Sequence, residues 1–116
     1  MNLRECYSAM GADYDDILRR LVSEERIIRF LRMLARDQSF VTLKNALAAE
    51  HYEEAFRASH SLKGICMNMG LTRLMESSSA LTENLRSGQA GKDTAALFEA
   101  LEQDDHTAIE AIEKLD

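Results

Sequence analysis

The chain has no proline, only five glycines and only two cysteines among 116 residues. Proline interrupts helices and glycine weakens them, so their scarcity leaves the chain free to be helical nearly throughout. Cys6 and Cys66 cannot form a metal cluster alone, and nothing around them points to a secreted disulfide scaffold. Positive charge is short too: 14 Lys and Arg stand against 20 Asp and Glu, a net charge of −6. Phosphate binding needs a basic face, so this balance argues against DNA or RNA as the main partner. Charges break every apolar stretch within a few residues, and no segment is expected to span a bilayer. The opening MNLRECYSAMGADYDD has no basic region followed by an apolar run, so no secretory signal is expected and a soluble, cytoplasmic chain is. The length allows one domain, and 46% hydrophobic with 29% charged residues is ordinary globular usage.

The apolar residues recur at three and four, not at two. A short segment from about Asn2 to Met10 carries Leu3, Cys6, Tyr7 and Met10 on one side and stops at Gly11. Asp13 can cap a second short helix with Ile17, Leu18 and Leu21 inward. Ser23, followed by Glu24 and Glu25, caps a third with the stripe Ile27, Ile28, Leu31 and Leu34. A fourth is predicted from about Gln38 to Ala49 with Val41, Leu43, Ala46 and Leu47 inward. The fifth starts near His51 and runs to Met69, where Gly70 supplies the stop. A sixth covers Thr72 to Ser87, with Leu74, Met75, Ser78, Leu81 and Leu85 on one side. Gly88-Gln89-Ala90-Gly91 is a clear loop, and the last helix runs from Asp93 or Thr94 to about Leu115. No strand pattern competes. The expected fold is all-α: an antiparallel four-helix bundle with additional short N-terminal helices.

The fifth helix holds the chemistry. At about 100° per residue, Ala55, Ala58, Leu62, Ile65, Cys66 and Met69 fall within about 60° of the direction opposite His60. Phe56, Arg57, Lys63, Gly64 and Met67 fall within about 60° of His60 itself. If the apolar stripe is buried, His60 therefore faces solvent, with Lys63 on its flank and a bare patch at Gly64 beyond it. A mid-helix glycine costs about 0.5–1 kcal/mol relative to alanine, so a solvent-facing one implies that something approaches the backbone closely. Exposed imidazoles are mostly neutral at cytoplasmic pH, which leaves one ring nitrogen free to attack an electrophile. A lysine one turn along would then neutralise a phosphoryl group placed on that ring.

The string His60-Ser61-Leu62-Lys63-Gly64-Ile65-Cys66-Met67-Asn68-Met69-Gly70 resembles the H-x-L-K-G motif and following glycine of histidine-containing phosphotransfer (HPt) domains. Ala-Phe-Arg-Ala-Ser before the histidine and the segment Leu81-Thr82-Glu83-Asn84-Leu85-Arg86-Ser87-Gly88 also resemble the family pattern. The likeness covers about Ser39 to Leu115, and the first 38 residues match it loosely. It implies one domain over residues 1–116, with N-terminal capping helices over 1–38 and a bundle core over 39–116. It implies that His60 carries a phosphoryl group between aspartates of response-regulator receiver domains in a multistep phosphorelay, below a hybrid histidine kinase. Lys63 would hold the phosphoryl group and Gly64 would clear space for the receiver. Where the family often opens this helix with an acidic residue, Glu50-His51 stands here.

Phe56, Arg57 and Met67 are candidates for a docking rim around His60. His51 and His106 read as surface histidines, and Cys66 as a small core residue. Asp13-Tyr14-Asp15-Asp16 lacks the glycine and distant glutamate of a calcium loop, and Gly88-Gln89-Ala90-Gly91 lacks the lysine of a phosphate loop. No metal and no cofactor are expected on this chain, and a monomer suffices. A chain without a nucleotide lid cannot phosphorylate itself, so a phosphocarrier is expected rather than an enzyme. Two alternatives remain at this stage: a helical-bundle interaction module that is never phosphorylated, and the phosphotransfer domain of a chemotaxis-type histidine kinase.

Overall fold

The computed structural model describes residues 1–116 and contains seven helices and no strand. Three N-terminal helices, α1 (Leu3–Ala9), α2 (Tyr14–Leu21) and α3 (Glu24–Arg36), precede α4 (Ser39–Ala48), α5 (Tyr52–Asn68), α6 (Thr72–Asn84) and α7 (Thr94–Glu113). The expected N-caps at Asp13 and Ser23 are in place, and Asn2 caps α1 as well. The side chain of Asn2 accepts from the Glu5 amide, Asp13 from Asp16 and Ser23 from Arg26, each satisfying a donor that the first helical turn leaves unpaired.

Helices α4 to α7 pack in sequence order, each against the next. Within this bundle α5 and α6 are antiparallel: Ser59 meets Thr82, and one turn back along α5 Phe56 meets Arg86, which follows Thr82 in the turn just past α6. Helices α4 and α7 meet through the stacked rings of Phe40 and Phe98, 5.8 Å apart, and the ion pair Lys44–Glu102 at 3.0 Å. One continuous core runs through the molecule. It holds Leu43 from α4, Leu62 and Cys66 from α5, Leu74 and Leu81 from α6, Leu101 and Ile112 from α7, and Tyr7, Ile17 and Ile27 from the N-terminal helices.

Two sequence expectations need correction. Val41 does not point inward; it is 48% exposed, because Phe40 takes the inner position and packs on Phe98. Phe40, Leu43 and Leu47 then form the i, i+3, i+7 stripe, which leaves Val41 about 100° away from Phe40. Helix α6 ends at Asn84 rather than near Ser87. The Thr94 hydroxyl donates to the Asn84 side chain at 2.6 Å, and the Gly88 amide bonds back to the Leu85 carbonyl at 2.9 Å, so the chain turns before a further helical turn can form.

The N-terminal helices hold the far end of α5. The last carbonyls of a helix have no partner within it. Here the Arg20 guanidinium donates to the carbonyls of Met67 and Asn68 at 3.1 and 3.4 Å, and the buried Tyr7 hydroxyl donates to that of Met69 at 2.9 Å. A cation at a helix C-terminus also complements the helix dipole. Gly70 follows with φ +68°, a left-handed turn that glycine adopts at no steric cost.

Candidate functional site

Helix α5 forms because its apolar residues recur on one side, and that side is the buried one: Ala55, Ala58, Leu62 and Cys66 all lie in the core. His60 is consequently exposed, together with Arg57, Ser61 and Met67, while Phe56, Lys63 and Gly64 are half-buried. The structure thus brings every candidate from Phe56 to Met67 onto one outward face. His51 and His106 lie apart, at the start of α5 and on α7, beside Glu54 (3.7 Å) and Glu110 (3.5 Å).

The rotation of α5 is fixed by a polar contact that the helical period does not reveal. Ser59, next to His60, is fully buried. Its hydroxyl accepts from Thr82 Oγ1 on α6 at 3.0 Å and donates to the Phe56 carbonyl at 3.0 Å. Each hydroxyl also has a carbonyl on its own helix, Phe56 for Ser59 and Ser78 for Thr82, so turning α5 away forfeits the one bond between the helices, about 0.5–1.5 kcal/mol. Cys66, one face round from His60, is buried, and burial pushes its thiol up to about 12. It is a core residue and holds no thiolate for chemistry.

Around the histidine the side chains interlock. The Phe56 ring stacks beside the His60 ring, centroids 6.0 Å apart and planes 20° from parallel. The Arg86 guanidinium lies over Phe56 at 5.5 Å and is held by two hydrogen bonds, of 2.6 and 3.0 Å, to Glu83. Arg86 holds the Glu83 carboxyl below the usual carboxylate range, and Lys63 and His60 act in the same direction from nearby. Two cations, Lys63 and Arg86, therefore flank the imidazole. Sequence reasoning missed Ser59, Thr82, Glu83 and Arg86 as neighbours of the site. Two signals pointed there: the resemblance of the Leu81–Gly88 segment to the family pattern, and its spacing after His60, which an antiparallel hairpin would bring back.

Gly64 stands one turn beyond His60, and a Cβ built on it meets nothing within 4 Å. Its conformation is ordinary helix. Neither packing nor backbone geometry within this chain requires a glycine there. The arrangement amounts to an exposed imidazole on a rigid helix, cations beside it and bare backbone in front of it.

A family model for the Hpt domain matches residues 29–114. The chain belongs to the Hpt family. Neither a curated protein nor a solved structure matches it. The match begins at Arg29, inside α3, and so takes in the second half of that helix as well as α4 to α7. The Hpt domain is a helical phosphocarrier module that serves histidine phosphotransfer in phosphorelay signalling, where Hpt domains work with receiver domains and histidine kinases. This Hpt domain has no helix long and apolar enough to cross a membrane.

Proposed function

We propose that this Hpt domain relays a phosphoryl group between aspartates of response-regulator receiver domains, with His60 as the residue that carries it. The observation that carries this reading is the position of His60, exposed on α5 opposite its buried stripe and inside the Hpt match. A ring nitrogen of neutral His60 attacks the phosphorus of an aspartyl phosphate in line. The N–P bond forms, the acyl phosphate P–O bond breaks, and the aspartate carboxylate leaves with the electron pair. Transfer of this kind is chiefly positioning and electrostatics, with the receiver domain supplying its own metal ion. Lys63 neutralises the phosphoryl oxygens, Gly64 gives the receiver access, and Phe56, Arg57 and Met67 form the rim it meets. No group on the outward face of α5 is placed as a base for water, so the phosphohistidine persists until a second receiver accepts it.

In this reading the chain acts in the cytoplasm as a monomer, below a hybrid histidine kinase. Residues 39–116 are the bundle core that carries the histidine, and residues 1–38 steady it through the contacts of Tyr7 and Arg20 with the end of α5. The test is incubation with a panel of phosphorylated receiver domains. His60→Gln should keep its helical content and accept no label, while His51→Gln and His106→Gln accept it as the unaltered protein does. Label on the His60 variant would move the site elsewhere. No label on the unaltered protein from any receiver would favour a pure interaction module.

A further inference from the structure

The acidic balance of the chain hides a basic segment. Residues 19–36 hold six of the 14 basic side chains, all arginines, against two of the 20 acidic ones. Arg19 and Arg20 are tied to Asp16. Arg26, Arg29, Arg32 and Arg36 are exposed, and none of them forms an ion pair. Spaced at three, three and four, they share the outer face of α3. Other cations of this protein, Lys44, Arg86 and Lys114, have found carboxylates. The four arginines of α3 have not, in a molecule with an excess of acids.

Beside the arginines stand Phe30 and Met33, 37% and 56% exposed. They form the outer lip of a groove of about 390 Å³ floored by Leu21, Leu34, Ile65 and Met69, with Asp37 as its one charged lining residue. Ile65 belongs to α5 and Met69 caps its C-terminus, five and nine residues beyond His60 and on the side of the helix away from it, so the groove opens within about 15 Å of the histidine along the helix axis. Asn68 at its edge lies on the flank of α5 that also carries Gly64 and Ser61. A body that covers His60 and extends round the Asn68 flank toward the end of α5 can therefore reach the groove and the arginines at once.

We infer that the outer face of α3 and the groove behind it are a second contact for the protein that exchanges phosphoryl groups with His60, selecting a partner with an acidic helix that carries an apolar ridge. This rests on the phosphotransfer reading of His60 and adds to it what the partner must look like. The ridge enters the groove between Phe30 and Met69, and the acidic side chains meet Arg26, Arg29, Arg32 and Arg36. An anionic membrane fits less well. The apolar stripe of α3, Ile27, Leu31 and Leu34, is already buried in the core, and only Phe30 and Met33 are left to insert. Charges of this kind at the rim of an interface set association rate and partner choice more than final affinity.

The test uses the receiver domain of the panel that transfers fastest to the unaltered protein. Arg29→Glu combined with Arg32→Glu should lower the transfer rate about tenfold at low salt. Raising salt from about 50 to 500 mM should slow the unaltered protein strongly and this variant little, because screening removes what the variant has already lost. Arg29→Gln with Arg32→Gln should move both readouts the same way by a smaller amount. All variants should be labelled by phosphoramidate at the unaltered rate, since a small donor needs no docking face. Transfer from the receiver at the unaltered rate and salt dependence would overturn the inference while leaving the phosphotransfer reading intact. Binding of the unaltered protein, but not the variant, to phosphatidylglycerol vesicles, with receiver transfer unchanged, would assign the face to lipid and also overturn it. Failure of every receiver to label the unaltered protein would instead remove the phosphotransfer reading itself.

Discussion

Gly64 offers the sharpest separation of docking from chemistry. In the free protein a methyl group at this position meets no atom within 4 Å, so Gly64→Ala adds no clash. It gains what helix propensity gives, about 0.5–1 kcal/mol, which should raise the melting temperature of a domain this size by roughly 2–5 °C. Thermal unfolding followed by circular dichroism measures that directly. A glutamine at the same place should also fold well, but its side chain projects about 6 Å along the helix from His60, on the same outward face. A receiver domain would then be held off, and misplacing reacting atoms by about 1 Å costs on the order of a hundredfold in rate. Gly64→Gln should therefore accept phosphate from a receiver domain about a hundredfold more slowly while phosphoramidate still labels His60 at the unaltered rate. Equal loss with both donors would mean that Gly64 supports the histidine ring itself. No loss with either would refute the claim that the bare backbone exists for a partner.

Cys66 should resist thiol reagents in the native state and react only on unfolding, since it is buried and burial pushes its thiol up to about 12; rapid native labelling would mean that α5 is rotated and His60 covered. Asp105 on α7 is pushed up to about 6, first by burial and then by the nearby carboxylates of Asp37 and Glu102, against the opposing pull of His106. Its folded form holds the proton more tightly than the unfolded chain, so its favourable contribution is complete below about pH 4 and is lost as pH rises through about 6. Discounted for partial solvent screening, that is about 1–2 kcal/mol, and Asp105→Asn should recover it at pH 7 and change little at pH 4, as denaturant titrations at the two values would reveal. Val22 ends α2 with φ 70° and is 77% exposed, a left-handed conformation that a β-branched residue adopts only at a cost. Val22→Gly should stabilise the protein by about 1 kcal/mol, and a loss of stability would show that its side chain contributes more than its exposure indicates.

The parts of this molecule that could be read from sequence are those written into a single helix. The buried side of α5 recurs over Ala55, Ala58, Leu62 and Cys66, about three turns of consistent period, and that alone sets the outward direction of His60. The N-caps at Asp13 and Ser23 are equally local, each bonded to an amide three residues on. What escaped depended on a second element. Val41 and Phe40 compete for the inner position of α4, and the choice is made by Phe98, far along the chain. Ser59 is polar at a buried position, where its hydroxyl is satisfied by the Phe56 carbonyl of its own helix and by Thr82 across the bundle. The arginines of α3 were visible individually but vanished in the net charge, because acids elsewhere in the chain outweigh them.

The same logic explains why the site is built on this helix and at this turn of it. Apolar contacts are non-directional, so the packing of Leu62 and Cys66 alone tolerates modest rotation of α5. The Ser59–Thr82 hydrogen bond is directional and is forfeited when the helix turns, although each hydroxyl keeps a carbonyl on its own helix. Ser59 precedes His60 directly, so the residue that fixes the rotation is the neighbour of the residue whose direction matters. The far end of α5 is held independently by Arg20 and Tyr7, through its last carbonyls, so that the helix is pinned both in rotation and along its axis. A nucleophile that must meet a separately folded partner in line gains from both constraints, since each removes a degree of freedom that docking would otherwise have to fix. On this view the N-terminal helices are part of the transfer machinery although none of their residues lies beside His60.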